Sequence, residues 1–459
     1  MMSVPRFLAA ILLLSCSILQ IAAFPLKVAG IDTLRTAVWI HDLRWGYDVV
    51  NANIDRSLVP ASVMKTVTCA SLLNLAGSDE RFLTVVSATG EVRDSVLYGN
   101  IVVKAVGDPT VESQYFDESQ GFADSIASSL LRLGVRRVTG DVIIDESGFA
   151  DATTPQGWMA EDIPWYYGAR LQGANFRDNR FRLTLPSKKT VPEVPDLKFR
   201  FVRTKRRGVK VDREDGSETM VVSGNTRRGF SETFSMPYPR KAMRAEILSV
   251  LSVAGIKVGK GTVKNAGGES TELYVHRSPR FGDIMRSLMY RSDNLMAEGM
   301  LRAIAPGGTR RQAIEEEHAV WSMLGISAHG VNIVDGSGLS RDNRLTARFL
   351  GEVIRHMLAE EFGDEYVTLL PVAGCDGTMR NFLAGTSLEG RVAMKTGSMK
   401  GVQSYSGYLL DEEGRPTHLL VFIANGFRCS RSALKNDIQR LLLELFDVSL
   451  QNNLQEQKE

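Results

Sequence analysis

The end of the chain limits the fold more than any other stretch. "GRVAMKTGS", "GVQSYSGYLL" and "THLLVFIAN" are three strand-like runs, the last two joined by the turn "DEEGRP". A helix follows, in which Leu434, Ile438, Leu441, Leu442 and Leu445 form one apolar face. A three-strand meander closed by a helix keeps an open edge and needs another strand. Near the opposite end, "TAVWIHDLRWGYDVVNAN" alternates around a Gly-containing turn and reads as a hairpin able to supply it. The expectation is one domain built from both chain ends, residues 24–84 and 276–450, with residues 85–275 inserted between its halves. At 459 residues the chain is too long for a single core, in keeping with that division.

The insertion has its own texture. "NIVVKAV" and "GDVIIDES" surround the helical "FADSIASSLLRLGV", a small α/β unit. An inner stretch, about 186–240, is rich in charge and Pro. There "FRFVRTKRRGVKVDRE" and "TMVVSGNTRRGF" read as hairpins. Lys205-Arg206-Arg207 and Arg227-Arg228 are expected at solvated hairpin tips, contact with an acidic surface being the alternative. Residues 451–459 form a polar tail.

One positive charge precedes the apolar "FLAAILLLSCSILQIAA", which ends in small residues. Residues 1–23 thus read as a secretory signal cut near Ala23, and no other segment is apolar enough to span a bilayer. Leu13-Leu14-Ser15-Cys16 loosely resembles a lipobox, so lipid anchoring through Cys16 is the competing reading. Leu14 is bulky for that motif, and the apolar run continues past Cys16. The expected location is periplasmic or otherwise extracytoplasmic, with weak or no membrane association.

A net charge of +2, with no basic stripe interleaved with aromatics, argues against a nucleic-acid partner. Beyond the signal, Cys69, Cys375 and Cys429 are odd in number and widely spaced, and the histidines are scattered. No disulfide framework, metal site or cofactor is implied.

The chemistry lies in three short motifs. Pro60 and Gly77 bracket a helix over about 61–76, with Ser62 and Lys65 in its first turns. Alone, S-x-x-K means little: Ser432-Ala433-Leu434-Lys435 repeats it, and Ser223-Gly224-Asn225 matches S-x-N as well as Ser292-Asp293-Asn294 does. The weight comes from the ordered set. Ser62–Lys65 opens a helix, Ser292-Asp293-Asn294 sits at a helix start, and Lys395-Thr396-Gly397 lies on a strand. That trio marks penicillin-binding proteins and class A β-lactamases.

The chain also resembles a class C low-molecular-mass penicillin-binding protein, of the D-alanyl-D-alanine carboxypeptidase/endopeptidase family of serine peptidases. "GNIVVKAVGDPT", "GDVIIDESGF", "EDIPWYYGA", "VDGSGLSRDNRLT" and "AGCDGTMRNFLAGTSLEGRVAMKTGSMKGVQSYSGYL" resemble family blocks in family order, over about residues 30–447. The resemblance implies an α+β fold: a penicillin-binding/β-lactamase-like transpeptidase domain, an antiparallel sheet flanked by helices. It implies an exported serine carboxypeptidase or endopeptidase that cuts peptidoglycan stem peptides ending in D-Ala-D-Ala or cross-linked through D-Ala. β-Lactams are then expected to acylate Ser62.

Under that reading Ser62 is the nucleophile and Lys65, on the same helix face, its base. A lysine titrates near 10.4, so neutrality at pH 7 requires a fall of about three pH units, roughly 4 kcal/mol. Burial and a second cation, Lys395, are the candidate causes. Ser292 fits as proton relay to the leaving amine, and Asn294 as an amide holding substrate or Lys65. Lys395 and Thr396 suit a terminal carboxylate, and Gly397 leaves room for substrate along the strand. The amides of Ser62 and Ser398 are the expected oxyanion hole. Asp162 and Arg341 are proposed to hold the zwitterionic end of a diaminopimelate side chain, with Tyr167 walling the pocket; a structural salt bridge or capping role is the alternative. Ser337, in a Gly-rich loop expected to line the cleft, is a rival nucleophile without a supporting histidine.

Two other functions compete. A β-lactamase on this scaffold needs fast deacylation, and no E-x-x-x-N context between Asn294 and Lys395 supplies the glutamate for it. A non-catalytic wall-binding protein would instead use the inserted region.

Overall fold

Period-two alternation sorts the central strands into two cores. Ala37 and Trp39 pack with Leu419, Val421 and Ile423 on a helical layer that includes Val67, Leu72, Val353 and Ile354. Their neighbours Val38 and Ile40, with Leu420, Phe422 and Ala424, meet Leu434, Ile438 and Leu442 on the other side. A sheet covered on both faces needs continuous apolar runs, which "VWI" and "HLLVFIA" provide. The structure, a computed structural model, describes residues 24–202, 204, 208–225, 229–263 and 270–447. The signal segment with Cys16, the two basic clusters and the polar tail lie outside the described residues.

The chain opens with β1 (Thr36–Asp42) and β2 (Tyr47–Ala52), then a 3-10 turn at Ala61–Val63 leads into α1 (Met64–Ala76). Helix α1 is buried from Met64 through Leu73. It is a helix without a polar face, as expected for one at the centre of a domain. Gly77, with φ of 77°, ends it.

The inserted region starts with β3 (Leu83–Arg93), β4 (Val96–Lys104), α2 (Phe122–Arg132), β5 (Arg137–Val138) and β6 (Val142–Asp145). Next come β7 (Arg180–Leu185), β8 (Lys189–Val191), β9 (Lys198–Val202), β10 (Val209–Asp212), β11 (Thr219–Gly224) and β12 (Phe230–Ser235). Helix α3 (Pro239–Val253), β13 (Lys257–Val258) and β14 (Thr271–Arg277) close it, β14 returning antiparallel to β3.

Among the described residues, the two expected hairpins do not form. Strand β9 runs parallel to β11 and β10 antiparallel to it, so both flank β11 instead of pairing with each other. Strand β12 leaves β11 and pairs with β7, Phe234 opposite Phe181. Alternation identifies a strand but not its neighbour. Burial decides here: Met220 and Val222 of β11 are fully buried between β9 and β10, and Phe234 is buried beside Phe181.

The chain then forms α4 (Phe281–Arg291), α5 (Asn294–Ala303), α6 (Arg310–Met323), α7 (Ala347–Met357) and α8 (Gly363–Thr368). It ends in β15 (Val392–Met399), β16 (Val402–Leu410), β17 (Pro416–Asn425) and α9 (Arg431–Phe446). The sheet order is β15-β16-β17-β1-β2, all antiparallel, with Trp39 opposite Val421. The N-terminal hairpin does complete the C-terminal meander, and the α+β expectation holds. Helix α9 buries Leu434, Ile438, Leu441 and Leu442, but also Asp437, whose carboxylate accepts the N–H groups of Lys27 and Val28. Among the described residues, no helix is long and apolar enough to cross a membrane.

Candidate active site

Ser62 occupies the 3-10 turn ahead of α1, just after Ala61, whose φ of 51° puts a non-glycine residue in the left-handed region. Lys65 lies one turn on and is fully buried. Its Nζ stands 3.3 Å from Ser62 Oγ, 2.7 Å from Asn294 Oδ1 and 2.6 Å from the Ser337 carbonyl oxygen. A neutral amine has two N–H groups and one lone pair. The two short contacts use both N–H groups, which leaves the lone pair for the Ser62 hydroxyl.

Burial is the main force on Lys65, lowering its pKa to about 8 against the opposing pull of Asp335, Asp293 and Glu298. The second-cation expectation changes accordingly. Burial and the charge of Lys65 together hold Lys395 well below the ordinary lysine range, so mutual repulsion falls on the strand lysine.

The S-D-N motif is a junction between two helices. Ser292 caps the end of α4 in the left-handed region, with φ of 57°, and the Asp293 carboxylate caps α5 by accepting the Met296 N–H. Asn294 is then the first residue of α5, and both ends of its amide are engaged. Its Oδ1 accepts from Lys65 and its Nδ2 donates to the Tyr167 carbonyl at 2.8 Å. Of the two roles considered for Asn294, contact with Lys65 is the one the geometry contains. Lys395 Nζ donates to Ser292 Oγ at 2.9 Å and to the Thr396 carbonyl at 2.7 Å.

Strand β15 is the edge of its sheet. The Val392 carbonyl and the Met394 N–H face away from β16, bonded to Ala373 and Pro371. By the alternation of a strand, the main-chain groups of Thr396 and Ser398 face the same way, away from β16. The side chains of these residues are held locally: Thr396 Oγ1 donates to Thr378 Oγ1 at 2.9 Å, and Ser398 Oγ to Gln403 Oε1 at 2.8 Å.

Gly397 has a different rationale from the one expected. An ideal Cβ there would lie 2.2 Å from Ser404 Oγ and 2.9 Å from both the Pro60 carbonyl oxygen and the Ser62 nitrogen. The residue is small because the backbone carrying Ser62 packs directly against it.

Tyr167 donates its hydroxyl proton to Asp162 Oδ1 at 3.1 Å. Burial raises the Asp162 pKa, while Tyr167 and the positive charge of Arg341 pull it down. Burial and the Asp162 charge push the Tyr167 phenol up. Arg341 itself donates to the Lys400 carbonyl at 3.4 Å, at the β15–β16 turn. These three residues thus gather on one rim of the cleft.

Ser337 is fully buried, and its carbonyl, not its hydroxyl, meets the site. Cys69 is likewise fully buried, and burial pushes its thiol up, as for a structural hydrophobe.

Two contacts of the site were not expected from the sequence. The Ser337 carbonyl is main chain and leaves no mark on residue type. The other is an ion pair between Arg180 of β7 and Asp293, which ties the inserted region to the S-D-N junction.

The profile of the family described as D-Ala-D-Ala carboxypeptidase 3 (S13) matches residues 20–445. The chain is 26% identical to a D-alanyl-D-alanine carboxypeptidase DacB of Haemophilus influenzae, over 88% of each chain. It is 28% identical to a D-alanyl-D-alanine carboxypeptidase of Actinomadura sp. strain R39, over 87% of this chain and 78% of that one. The fold is similar to the crystal structure of penicillin binding protein 4 from H. influenzae, with a TM-score of 0.78 at 22% identity, covering 92% of this chain and 98% of that one.

Proposed function

Because this chain belongs to the D-Ala-D-Ala carboxypeptidase 3 (S13) family, we propose that it hydrolyses peptidoglycan stem peptides ending in D-Ala-D-Ala through an acyl-enzyme on Ser62. The observation that carries the reading is the buried amine of Lys65, with two short acceptors and a third, longer contact to Ser62 Oγ. Neutral Lys65 takes the Ser62 proton as Oγ attacks the carbonyl carbon between the two D-alanines. The Ser62 and Ser398 N–H groups receive the developing oxyanion, a service worth roughly 3–4 kcal/mol per donor in such sites. Ser292, bonded to Lys395, passes a proton to the departing D-alanine nitrogen, and the C–N bond breaks. The proton held by Lys65 replaces the one that Ser292 gave to D-alanine, which leaves Lys65 neutral again. Lys65 then takes a proton from the water that attacks the ester and returns it to Ser62 Oγ as the acyl bond breaks.

Lys395 and Thr396 take the substrate's terminal carboxylate. Asp162, Tyr167 and Arg341 receive the diaminopimelate end, each charge meeting its opposite. D-Alanyl cross-links present the same bond, so endopeptidase action belongs to the same machinery. β-Lactams acylate Ser62, and their amine cannot diffuse away. Residues 24–84 and 276–450 serve as the catalytic body, with 85–275 as an accessory insertion. The substrate class and the pattern of residues 1–23 support an extracytoplasmic location.

The test is mass spectrometry of the protein incubated with muropeptide monomers, with cross-linked dimers and with penicillin. Release of D-alanine and a stable penicillin adduct on Ser62 are expected, both abolished in Ser62→Ala. Rapid turnover of penicillin, or peptide cleavage that survives Ser62→Ala, would overturn the assignment.

A further inference from the structure

Helix α5 carries another polar residue one turn beyond Asn294. Glu298 is 2% exposed, and its Oε1 accepts the Ser337 backbone N–H at 2.9 Å. The carbonyl of that same residue accepts from Lys65 Nζ. Residue 337 is thus gripped by Glu298 at one end while its other end touches the amine.

The surrounding loop leaves little freedom for any other arrangement. An ideal Cβ on Gly336 would stand 2.7 Å from Leu301 Cβ and 2.9 Å from the Ala297 carbonyl oxygen. One on Gly338 would lie 2.0 Å from the carbonyl oxygen of Ala61, next to Ser62. Asp335 ties down the far side of the turn by accepting the Gly338 and Ser340 N–H groups and the Trp158 indole N–H.

Glu298 is a costly residue to keep at this position. Among the described residues its Oε2 has no hydrogen-bond partner, and the Arg310 Nε stands 3.9 Å away. Burial, reinforced by the charge of Asp335 and eased by Arg310 and the Ser337 N–H, pushes its pKa up to about 7. A methionine would fill the space without a half-satisfied carboxyl. Such local departures from good packing gather where a site needs them.

We infer that Glu298 is a positioning residue: by holding the Ser337 N–H it aims the Ser337 carbonyl at Lys65 and keeps the amine's lone pair on the Ser62 hydroxyl. The inference rests on the reading of Lys65 as the base. What the position requires is an acceptor at that reach, not a charge.

Three variants separate those requirements. Glu298→Gln keeps the acceptor and its reach but loses the charge. Glu298→Asp keeps the charge and falls one methylene short. Glu298→Met loses both. Acylation by a chromogenic β-lactam and hydrolysis of a D-Ala-D-Ala peptide are measured on each full chain, per site titrated with penicillin, alongside the melting temperature.

Gln is expected to retain at least about a third of the parental acylation rate, while Asp and Met lose about tenfold to hundredfold in kcat with KM little changed. Asp at the parental rate, Gln falling as far as Asp, or losses that follow melting temperature alone would each overturn the inference. If Met does not fold, the Gln–Asp pair decides. A parent that forms no adduct on Ser62 overturns the proposed function instead, so the two failures are told apart.

Discussion

Lys395 Nζ donates a hydrogen bond to Ser292 Oγ at 2.9 Å, joining the strand motif to the helix-junction motif. The second serine is therefore tied to the second lysine, as the first serine is to the first lysine. A leaving amine must be protonated before it departs, whereas a thiolate leaves readily without a proton. Ser292→Ala is expected to lower kcat/KM on a D-Ala-D-Ala amide by about 10²–10³ and on the matching thioester by less than about tenfold. Equal losses on both would remove Ser292 from the leaving-group step.

Acylation should also follow the protonation of Lys65. Its pKa in the fold is about 8 against an ordinary 10.5, and only the neutral form accepts a proton. The rate of acylation is expected to climb about tenfold per pH unit up to that point and then level off. Between about pH 8 and 10.5 the unfolded chain still binds a proton that the folded chain has released, so this residue makes stability rise with pH across that window. Stopped-flow acylation from pH 5.5 to 9.5 checks the first statement; a flat profile would discard Lys65 as the base. Lys65→Met should flatten this contribution to urea stability in the alkaline window.

Gly397→Ala is a test of packing at the site. The added methyl meets the Pro60 carbonyl and the Ser62 nitrogen at 2.9 Å, and backbone cannot swing aside as a side chain does. The variant should lose about 1–3 kcal/mol of stability and acylate Ser62 about a hundredfold more slowly. Full activity in it would show that the turn at Ala61–Val63 tolerates displacement.

Arg180 and Asp293 make the fourth test. Their side chains are 11% and 3% exposed, and one comes from the insertion while the other caps helix α5. Arg180→Ala leaves a buried carboxylate without its cation, an arrangement that costs about 3–5 kcal/mol. Adding Asp293→Asn should recover much of that loss, since the charge is then gone and an acceptor for the Met296 N–H remains. Urea unfolding of the two single variants and the double variant measures the coupling; additive losses would show that the pair is not a latch.

The five-stranded sheet was legible because its strands declare themselves twice, by alternation and by apolar runs long enough for a sheet covered on both faces. Helix α9 was read from five leucine and isoleucine positions, though Asp437 on the same face went unnoticed. Inside the insertion, alternation located β9, β10, β11 and β12 but not their partners, because pairing there follows the burial of Met220, Val222 and Phe234. The three motifs pointed to side chains that the fold brings together. What remained hidden is main chain or distant in sequence: the Ser337 carbonyl, the open edge of β15, the Arg180–Asp293 pair. Glu298 did leave a signal. It is a lone acid in the apolar run "NLMAEGML", four residues from Asn294.

The order of the strands also sets a timetable for biosynthesis. Strand β1 is made well before its neighbour β17, which is completed only at Asn425. Until Val392 is reached, the sheet beside Ser62 is missing three of its five strands and the whole Lys395 segment. The insertion, whose strands from β3 to β14 are contiguous in sequence, has all its parts earlier. A growing chain therefore carries a finished insertion beside an unfinished site, and hydrolytic power arrives only once β15 to β17 have been translated.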